Sequence, residues 1–540
     1  MNIIENIKTQ AIENGKQVVF KSRVGQLSYL QLWNKSEQIA QWIKENVSGK
    51  NEANPIVIYG HKNPLMLASF LGSTKSGRTY CPVDRCMPIE RIEDIIETVE
   101  NEYVLMTENL VERICKEDSQ RVSEVEKVNE YTYKMSNVNF IDVNALLDVV
   151  FEEKDDTVLE NVSEDSYLKQ DGVYYIIFTS GSTGKPKGVQ ITRSSLENYL
   201  DWSTEVGDSI GAKHGKNFLN QAPYSFDLSV MDTYTSLVSG GTLVSVDKEL
   251  QQDTAALVSY IKENKVNYWV STPSFAAMCL SEPSYSEEEL DSLKFFMFCG
   301  ETLSKETSEK LMERFPKAKI INTYGPTEST VAVTSIEVTK ELLEDEKSIP
   351  IGYEKHGTEI LILADSTEGQ EVKLAKSDEI GELVILGNTL SIGYYKNPVK
   401  TAEAFKTIIY KGREVPAYFT GDAGYKNKDG MIFFLGRIDR QVKLHGYRIE
   451  LGDIESNLTK IKEITQAAVI PKKVDGVIKQ LVAFIVSDKL NEDYDSRKYV
   501  RNQLQEMIPK YMVPKKIVVL DKMPLTNNGK IDYKRMETLV

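Results

Sequence analysis

Short apolar runs alternate with amphipathic helical patterns through the first four-fifths of this 540-residue chain. The apolar runs predict strands over residues 55–59, 267–271, 295–298 and 318–322. Helical patterns occur at residues 65–71, 257–263 and 306–314, and Ser304 stands where it can cap the last of these helices. Strands that alternate with helices favour a layered α/β architecture around a largely parallel sheet.

The pattern changes in the last third of the chain. Short strands and turns between about residue 381 and residue 438 predict a small β-barrel-like unit, with strands at 381–386 and 431–435. Residues 467–470 and 480–486 are predicted as strands around a turn, and a helix over residues 497–508 stops at Pro509. We expect a large N-terminal domain over residues 1–438, in which layered α/β subdomains carry the β unit. A smaller α+β C-terminal domain would cover residues 439–540.

One segment departs from the alternating pattern. Residues 119–170 are polar and rich in acidic side chains, among them Glu152, Glu153, Asp155 and Asp156. Such composition is typical of a loop or an insertion at the surface. We predict a loop or insertion there and assign it no chemistry.

Composition narrows the class of protein. Apolar residues at 41% and charged residues at 27% are ordinary for a soluble globular protein, and the length calls for at least two domains. A net charge of −15 gives no overall attraction to nucleic acid or to an anionic membrane. We expect no signal peptide. The sequence contains no apolar run of about 18 residues, so we also expect no membrane span. The five cysteines and four histidines lack zinc spacing, which is typical of a reduced, cytoplasmic enzyme without a structural metal.

A strand that runs into a polar loop carries the strongest chemical signal. The apolar residues 175–178 are followed by hydroxyls and glycines, namely Thr179, Ser180, Gly181, Ser182, Thr183 and Gly184. Glycines let the backbone approach phosphate oxygens, hydroxyls donate hydrogen bonds, and Lys185 and Lys187 supply positive charge. The loop is not a Walker A motif, because Pro186 occupies the position after Gly-Lys where a Ser or Thr would hold magnesium. A plain surface turn is the alternative.

Residues 175–189 resemble the phosphate loop of the adenylate-forming superfamily, which includes acyl-CoA synthetases, luciferases and nonribosomal adenylation domains. The resemblance covers nearly the whole chain and implies ATP and Mg²⁺ as cofactors, with Lys187 among the ATP-binding residues. It also implies that residues 322–328 bind adenine and phosphate. Asn322, Thr323, Tyr324 and Gly325 would surround the base, Thr327 would contact the α-phosphate, and Glu328 would bind magnesium, for which a carboxylate is suited.

The same resemblance assigns residues nearer the C-terminus. Asp422 would accept both ribose hydroxyls, although an Asx turn built on Gly421-Asp422 fits the local sequence equally well. Arg437 would meet the ribose or a phosphate, and Asp439 would be the hinge about which a mobile C-terminal domain turns. Lys530 would be the catalytic residue, since in the superfamily a lysine at this place binds the substrate carboxylate and nucleotide oxygens. Taken alone, Lys530 would be an ordinary solvated side chain.

Three residues bear on the substrate. Asp227 matches the aspartate with which amino-acid-activating members pair the substrate ammonium, whereas a buried carboxylate has no use beside a fatty acyl chain. The alternative for Asp227 is a cap on the following helix. Cys299 ends a strand, and its place resembles that of the cysteine that contacts the substrate methyl group in the D-alanine-activating ligases of the superfamily. Val331 would complete a pocket sized for this methyl group.

The resemblance to those ligases implies two partners, D-alanine and a phosphopantetheinylated D-alanyl carrier protein. Residues 206–210 resemble a carrier's phosphopantetheine site, but they lie too close to residues 175–189 and to Asp227 to belong to a carrier domain. We therefore expect a separate carrier that acts in trans. The product would serve the D-alanylation of teichoic acids in Gram-positive cell walls.

Three other functions remain open from the sequence. A ligase for glycine, L-alanine or β-alanine would keep every motif and change only the substrate. An acyl-CoA synthetase is disfavoured by Asp227. A non-catalytic nucleotide-binding relative is disfavoured by Lys530, Glu328 and Asp422, since such a protein need not keep all three.

Overall fold

Strands and helices alternate along most of the chain in the computed structural model. It describes residues 1–48, 54–151, 157–180, 186–208, 216–345, 348–365, 371–438, 440–474, 477–487, 489–524 and 531–540. The predicted loop residues Gly181–Gly184, the predicted hinge Asp439 and the predicted catalytic Lys530 lie outside these ranges.

The strands of the described residues have the following bounds. They are β1 (Val18–Lys21), β2 (Gln26–Ser28), β3 (Ile56–Gly60), β4 (Tyr80–Asp84), β5 (Tyr103–Met106), β6 (Val125–Lys127), β7 (Thr132–Met135), β8 (Val138–Asp142), β9 (Val173–Thr179), β10 (Lys187–Thr192), β11 (Asn217–Asn220), β12 (Thr242–Ser245), β13 (Tyr268–Ser271), β14 (Phe295–Phe298), β15 (Lys319–Tyr324), β16 (Thr334–Glu337), β17 (Tyr353–Glu354), β18 (Thr358–Asp365), β19 (Lys373–Leu374), β20 (Gly381–Gly387), β21 (Phe405–Tyr410), β22 (Arg413–Lys426), β23 (Ile432–Arg437), β24 (Gln441–Leu444), β25 (Tyr447–Glu450), β26 (Gln466–Val474), β27 (Val477–Val486) and β28 (Lys516–Leu520).

The α-helices of the same ranges alternate with these strands. They are α1 (Ile3–Glu13), α2 (Tyr29–Asn46), α3 (Pro64–Lys75), α4 (Ile89–Val99), α5 (Leu110–Glu117), α6 (Val143–Val150), α7 (Arg193–Asp208), α8 (Leu228–Val238), α9 (Lys248–Gln251), α10 (Thr254–Glu263), α11 (Pro273–Cys279), α12 (Lys305–Arg314), α13 (Lys340–Asp345), α14 (Pro398–Ala404), α15 (Leu451–Leu458), α16 (Tyr494–Met507) and α17 (Tyr533–Glu537). Among the described residues, no helix is both long and apolar enough to cross a membrane.

Two large sheets form the layered part of the fold. The first has the strand order β17-β16-β15-β14-β13-β11-β12-β1-β2, and the pairs from β12 through β15 are parallel. The second has the order β10-β9-β4-β3-β5-β8-β7-β6, with parallel pairs from β9 to β8. A shared apolar core, to which Trp33, Tyr174 and Tyr234 contribute, packs α2 and α8 against them. The predicted layered α/β architecture is confirmed.

Residues 348–438 add an antiparallel sheet. Its strand order is β19-β18-β20-β22-β21, and β23 pairs with β22. A bridge between Glu371 and Ile409 brings the two edges of this sheet together, so the sheet curls as a barrel does. This sheet is the small β unit that the sequence predicts, and Tyr418 and Leu383 lie in its core.

The C-terminal part has its own core. The hairpin β24–β25 precedes α15, and the sheet β26-β27-β28 packs against α15 and α16 around Ile454, Leu504 and Ile517. The predicted boundary between residues 438 and 439 falls between β23 and β24 and stays a prediction. We use the term small domain for the described residues from 440 onward and the term large domain for those up to residue 438.

Most predicted elements are present within a few residues of their predicted bounds. The strand at residues 295–298 is β14, and Ser304 caps α12 by accepting a hydrogen bond from the Thr307 backbone N–H. The sequence predicts a loop or an insertion at residues 119–170, and a loop is wrong for much of this length, because β6, β7, β8 and α6 lie within it. The acidic residues Glu152, Glu153, Asp155 and Asp156 lie outside the described ranges. Only Phe140 and Ile141 of β8 are strongly buried, and the edge strands beside β8 are polar. This part of the sequence therefore lacks the apolar pattern that would predict strands.

Candidate active site

Strand ends of the first sheet and of the β unit meet the β24–β25 hairpin at one cavity. Its lining includes predicted site residues from the large domain: Asp227, Cys299, Gly325, Thr327, Val331, Asp422 and Arg437. The opposite wall comes from the hairpin, through Gln441, Lys443, Gly446 and Arg448. A cavity lined by a few convergent polar and charged groups is typical of a small-molecule site.

The carboxylate of Asp227 lies at this cavity immediately before α8. Its side chain makes no cap hydrogen bond to the helix, so the alternative of a structural cap receives no support. Burial raises the pKa of Asp227, whereas the Thr327 hydroxyl and the Lys443 ammonium act in the opposite direction. A carboxylate in this setting gains from a cationic ligand, because the ligand compensates its buried charge.

Cys299 and Val331 lie next to each other in the cavity lining. Cys299 comes directly after β14, and its Sγ lies 3.7 Å from the Val331 carbonyl oxygen. Burial raises the pKa of the Cys299 thiol, so this thiol behaves as a small apolar wall group and not as a nucleophile.

The backbone at Val331 is strained. Thr330 and Val331 have φ of 63° and 67°, which β-branched residues rarely adopt. Neighbouring Gly325 is required for space, because a Cβ there would lie 2.5 Å from the Ala332 Cα and 2.7 Å from the Val331 carbonyl oxygen. Backbone strain of this kind persists only where the surrounding structure fixes the position of a residue, and it is common at binding sites.

The residues predicted to bind the nucleoside form a hydrogen-bonded group. Tyr324 donates its hydroxyl hydrogen bond to Asp422, and the Arg437 Nη1 donates to the Asp422 Oδ1 at 2.9 Å. Asp422 is 2% exposed, and its backbone N–H donates to the Thr420 hydroxyl. The Asx-turn alternative is therefore not needed to explain Asp422, because its carboxylate bonds to distant side chains. Asn322 and Thr323 lie beside them on β15, where they bond to the carbonyls of Pro350 and Phe298.

Glu328 is the most heavily engaged carboxylate of the site. It is fully buried, accepts from the Tyr394 hydroxyl at 2.7 Å, and pairs with the Arg448 guanidinium at 2.5 Å. Burial alone would raise the pKa of Glu328, but Arg448 and Lys187 lower it to about 2. Glu328 is thus an ionised oxygen ligand of the kind that suits Mg²⁺, and in this arrangement Arg448 occupies its Oε2.

The described end of the predicted phosphate loop contacts the hairpin. The Ser180 hydroxyl donates to the Arg448 carbonyl at 2.9 Å and accepts from the Glu450 N–H at 3.2 Å. Thr179, the last residue of β9, donates to the Lys187 carbonyl at 3.5 Å. The Lys187 ammonium lies 3.9 Å from Glu328 and 3.8 Å from Glu450, and burial lowers its pKa to about 8.

Sequence reasoning missed the individual roles of the hairpin residues in the cavity. Arg448 holds Glu328, and Gly446 packs so closely against Thr272 that a Cβ at this glycine would collide. Lys443 lies 5.7 Å from the centre of the Tyr324 ring. The signal that could have found them is the density of charged and glycine residues in a short strand–turn–strand segment.

The chain is similar to known proteins over nearly its whole length. The chain matches the family described as AMP-binding enzyme over residues 7–395 and the AMP-binding enzyme C-terminal domain over residues 453–530. A Listeria welshimeri protein named D-alanine--D-alanyl carrier protein ligase is 41% identical over 99% of this chain and 98% of its own length. A Bacillus licheniformis protein of the same name is 41% identical over 99% of each chain.

Solved structures share the fold. The Vibrio cholerae adenylation domain AlmE, in complex with glycyl-adenosine-5'-phosphate, matches with a TM-score of 0.75 at 21% identity, over 100% of this chain and 96% of its own. A nonribosomal peptide synthetase protein with adenylation and PCP domains matches with a TM-score of 0.77 at 24% identity, over 99% of this chain and 84% of its own.

Proposed function

The chain belongs to the AMP-binding enzyme family, and from that premise we propose that it is an ATP-dependent, AMP-forming ligase for D-alanine. It activates D-alanine as D-alanyl-AMP and then transfers the D-alanyl group to the phosphopantetheine thiol of a separate carrier protein. The full-length relatives named D-alanine--D-alanyl carrier protein ligase support this substrate and this partner.

The first step forms a bond between a carboxylate oxygen of D-alanine and the α-phosphorus of ATP, and pyrophosphate leaves. Asp227 binds the substrate ammonium, while Cys299 and Val331 enclose its methyl group. The rate gain comes from holding the two reactants together and from stabilising the charge that builds on phosphorus. No side chain has to form a covalent bond.

The nucleotide would occupy the other end of the cavity. Tyr324 lies against the adenine, with Asn322, Thr323 and Gly325 around it, and Asp422 and Arg437 hold the ribose. Ser180, Lys187 and Thr327 bind the phosphates, together with Thr179 and the loop residues Gly181, Ser182, Thr183 and Gly184. Lys530 contacts the carboxylate and the α-phosphate as catalytic residue. The hydrogen-bonded group of Tyr324, Asp422 and Arg437 supports this assignment.

Glu328 is the residue that would hold Mg²⁺. Its low pKa keeps the carboxylate ionised, which supports this role. The ion supplies charge neutralisation on the triphosphate when it is bound.

In the second step the small domain turns about Asp439 and brings the hairpin to the cavity. The carrier thiol then attacks the carbonyl carbon of D-alanyl-AMP, the thioester forms, and AMP leaves. The hairpin contacts of Arg448 with Glu328 and of Ser180 with residues 448 and 450 support this arrangement for transfer.

The observation that carries the proposal is the shared cavity. A buried carboxylate that caps no helix, Asp227, lines the same cavity as Thr327 and Asp422. An amino-acid ammonium at Asp227 and an AMP moiety at Asp422 would therefore be held side by side.

A carrier-loading assay tests the proposal. With ATP and D-alanine, we expect the intact mass of a phosphopantetheinylated D-alanyl carrier protein to rise by one alanyl group. The same carrier without phosphopantetheine is the control and should gain nothing. The Lys530→Ala variant should fold normally and load no carrier. Loading of the unmodified carrier, or full loading by Lys530→Ala, would contradict the proposal.

We also propose the cellular setting. The need for ATP and for a free thiol at Cys299 supports a cytoplasmic location. The loaded carrier would then supply the D-alanylation of teichoic acids.

A further inference from the structure

A buried ion pair between residues that do not line the cavity joins the two domains. Arg91 lies on α4 of the large domain, and Asp453 lies on α15 of the small domain. The Arg91 Nη2 is 3.6 Å from the Asp453 Oδ2, and the two side chains are 8% and 0% exposed. Both charges are therefore removed from water at a place where the two domains meet.

The Asp453 carboxylate depends on Arg91 for charge compensation. Its Oδ1 accepts from the Asn457 side chain at 2.9 Å, while its Oδ2 has no hydrogen-bond partner within the described ranges. Burial raises the pKa of Asp453, and Arg91 is the strongest opposing influence. A buried carboxylate without this guanidinium would be uncompensated, which is strongly unfavourable.

The pair lies at one end of an aromatic stack that reaches the cavity. Burial raises the pKa of the Tyr511 hydroxyl, the Arg91 guanidinium lowers it and the Asp453 carboxylate raises it, so both charges lie near this group. The Tyr511 ring stacks on Tyr447 with ring centroids 3.6 Å apart and an interplanar angle of 7°. The ring centroid of Tyr447 in turn lies 5.6 Å from that of Phe226, which lines the cavity next to Asp227. Packed rings thus connect Tyr511 of the small domain with the cavity wall at Phe226.

We propose that Arg91 is a positioning residue for the transfer step, which pairs with Asp453 to select the domain orientation that brings the hairpin to the cavity. This rests on the proposed two-step function. A buried carboxylate favours the domain orientation in which a cation compensates its charge, and here the Arg91 guanidinium supplies that cation to Asp453. Because the pair forms between the two domains, we expect its loss to affect the transfer step and not adenylation.

The half-reactions of an Arg91→Gln variant test the proposal. We expect ATP–pyrophosphate exchange with D-alanine to stay at the wild-type rate, while single-turnover transfer to the carrier falls by about tenfold or more. The Arg91→Gln/Asp453→Asn double variant should regain part of the lost rate, because it removes the uncompensated carboxylate. The matched control is Arg121→Gln, which breaks a pair with Glu93 of α4 inside the large domain and should change neither half-reaction.

A distance measurement keeps the proposal testable independently of activity. Spin labels at the exposed positions Val24→Cys and Tyr494→Cys, with Cys86 replaced by serine, report the separation of the domains. We expect Arg91→Gln to broaden or shift the distance distribution and Arg121→Gln to leave it unchanged. An unchanged distribution in Arg91→Gln, or an equal loss of exchange and transfer, would overturn the proposal. Absence of both half-reactions in the wild type would instead overturn the proposed function.

Discussion

The two walls of the cavity are built in different ways. The large-domain wall lies at the ends of packed strands, where Cys299 and Val331 are buried in the shared core and the backbone at Val331 is strained into one place. The hairpin wall is joined to it by charges: Arg448 pairs with Glu328, and Lys187 lies near Glu450. Packed groups fix a shape, whereas ion pairs can be exchanged for water or for a ligand. The large-domain wall is thus suited to select the substrate. The hairpin wall is suited to bind at the cavity and to leave it again.

The largest loss of activity is expected from a substitution of Asp227 in the large-domain wall. In Asp227→Asn the substrate ammonium loses its buried partner, so kcat/KM for D-alanine in pyrophosphate exchange should fall by about 100- to 1000-fold. The control is Asp493→Asn, which alters the cap of α16 and should leave exchange unchanged. A fall of only a few-fold in Asp227→Asn would separate this carboxylate from substrate binding.

The next effect concerns the charged wall at Arg448. Arg448→Met leaves Glu328 without its closest cation, and we expect the rate of carrier loading to fall by about 100-fold. Exchange should fall much less, because the first step does not need the hairpin at the cavity. Arg497→Met, which breaks a surface pair with Glu492, serves as control and should change neither rate. Equal losses in both assays of Arg448→Met would erase the distinction between the walls.

Cys299 tests how the packed wall selects the substrate. Cys299→Ala enlarges the pocket by one atom, so the ratio of kcat/KM for D-alanine over L-alanine should fall by about tenfold. Cys279→Ala removes another buried thiol that is not part of the cavity lining, and it should reduce stability without changing the ratio. An unchanged ratio in Cys299→Ala would assign selection to other residues.

The smallest effect is a pH dependence at Lys187. Because burial lowers its pKa to about 8, the ammonium loses its proton, and its attraction for phosphate, as the pH rises through that value. We expect the KM for ATP to rise a few-fold between about pH 7 and pH 9, and Lys187→Met to abolish this rise. A flat wild-type profile would show that Lys187 stays charged.

The packed wall could be predicted from the sequence better than the charged wall. The apolar run of β14 and the cap at Ser304 are local signals, so the position of Cys299 at a strand end was evident from the chain itself. The contact between Arg448 and Glu328 spans 120 residues and two domains, and no local pattern encodes such a pairing.

The strands within residues 119–170 could not be predicted for a similar reason. β8 pairs with β5 in the second sheet, but the polar edge strands beyond it in the sheet order made residues 119–170 look like a loop in composition. The roles of Lys530 and Asp439 still rest on the resemblance alone, since both lie outside the described ranges.

The decisive experiment is ATP–pyrophosphate exchange with D-alanine and L-alanine side by side. We predict strong exchange with D-alanine and weak exchange with L-alanine or glycine, since Asp227, Cys299 and Val331 share one cavity with the nucleotide residues. Strong exchange with another amino acid would keep the chemistry and contradict the substrate. No exchange with any amino acid would contradict the proposed function as a whole.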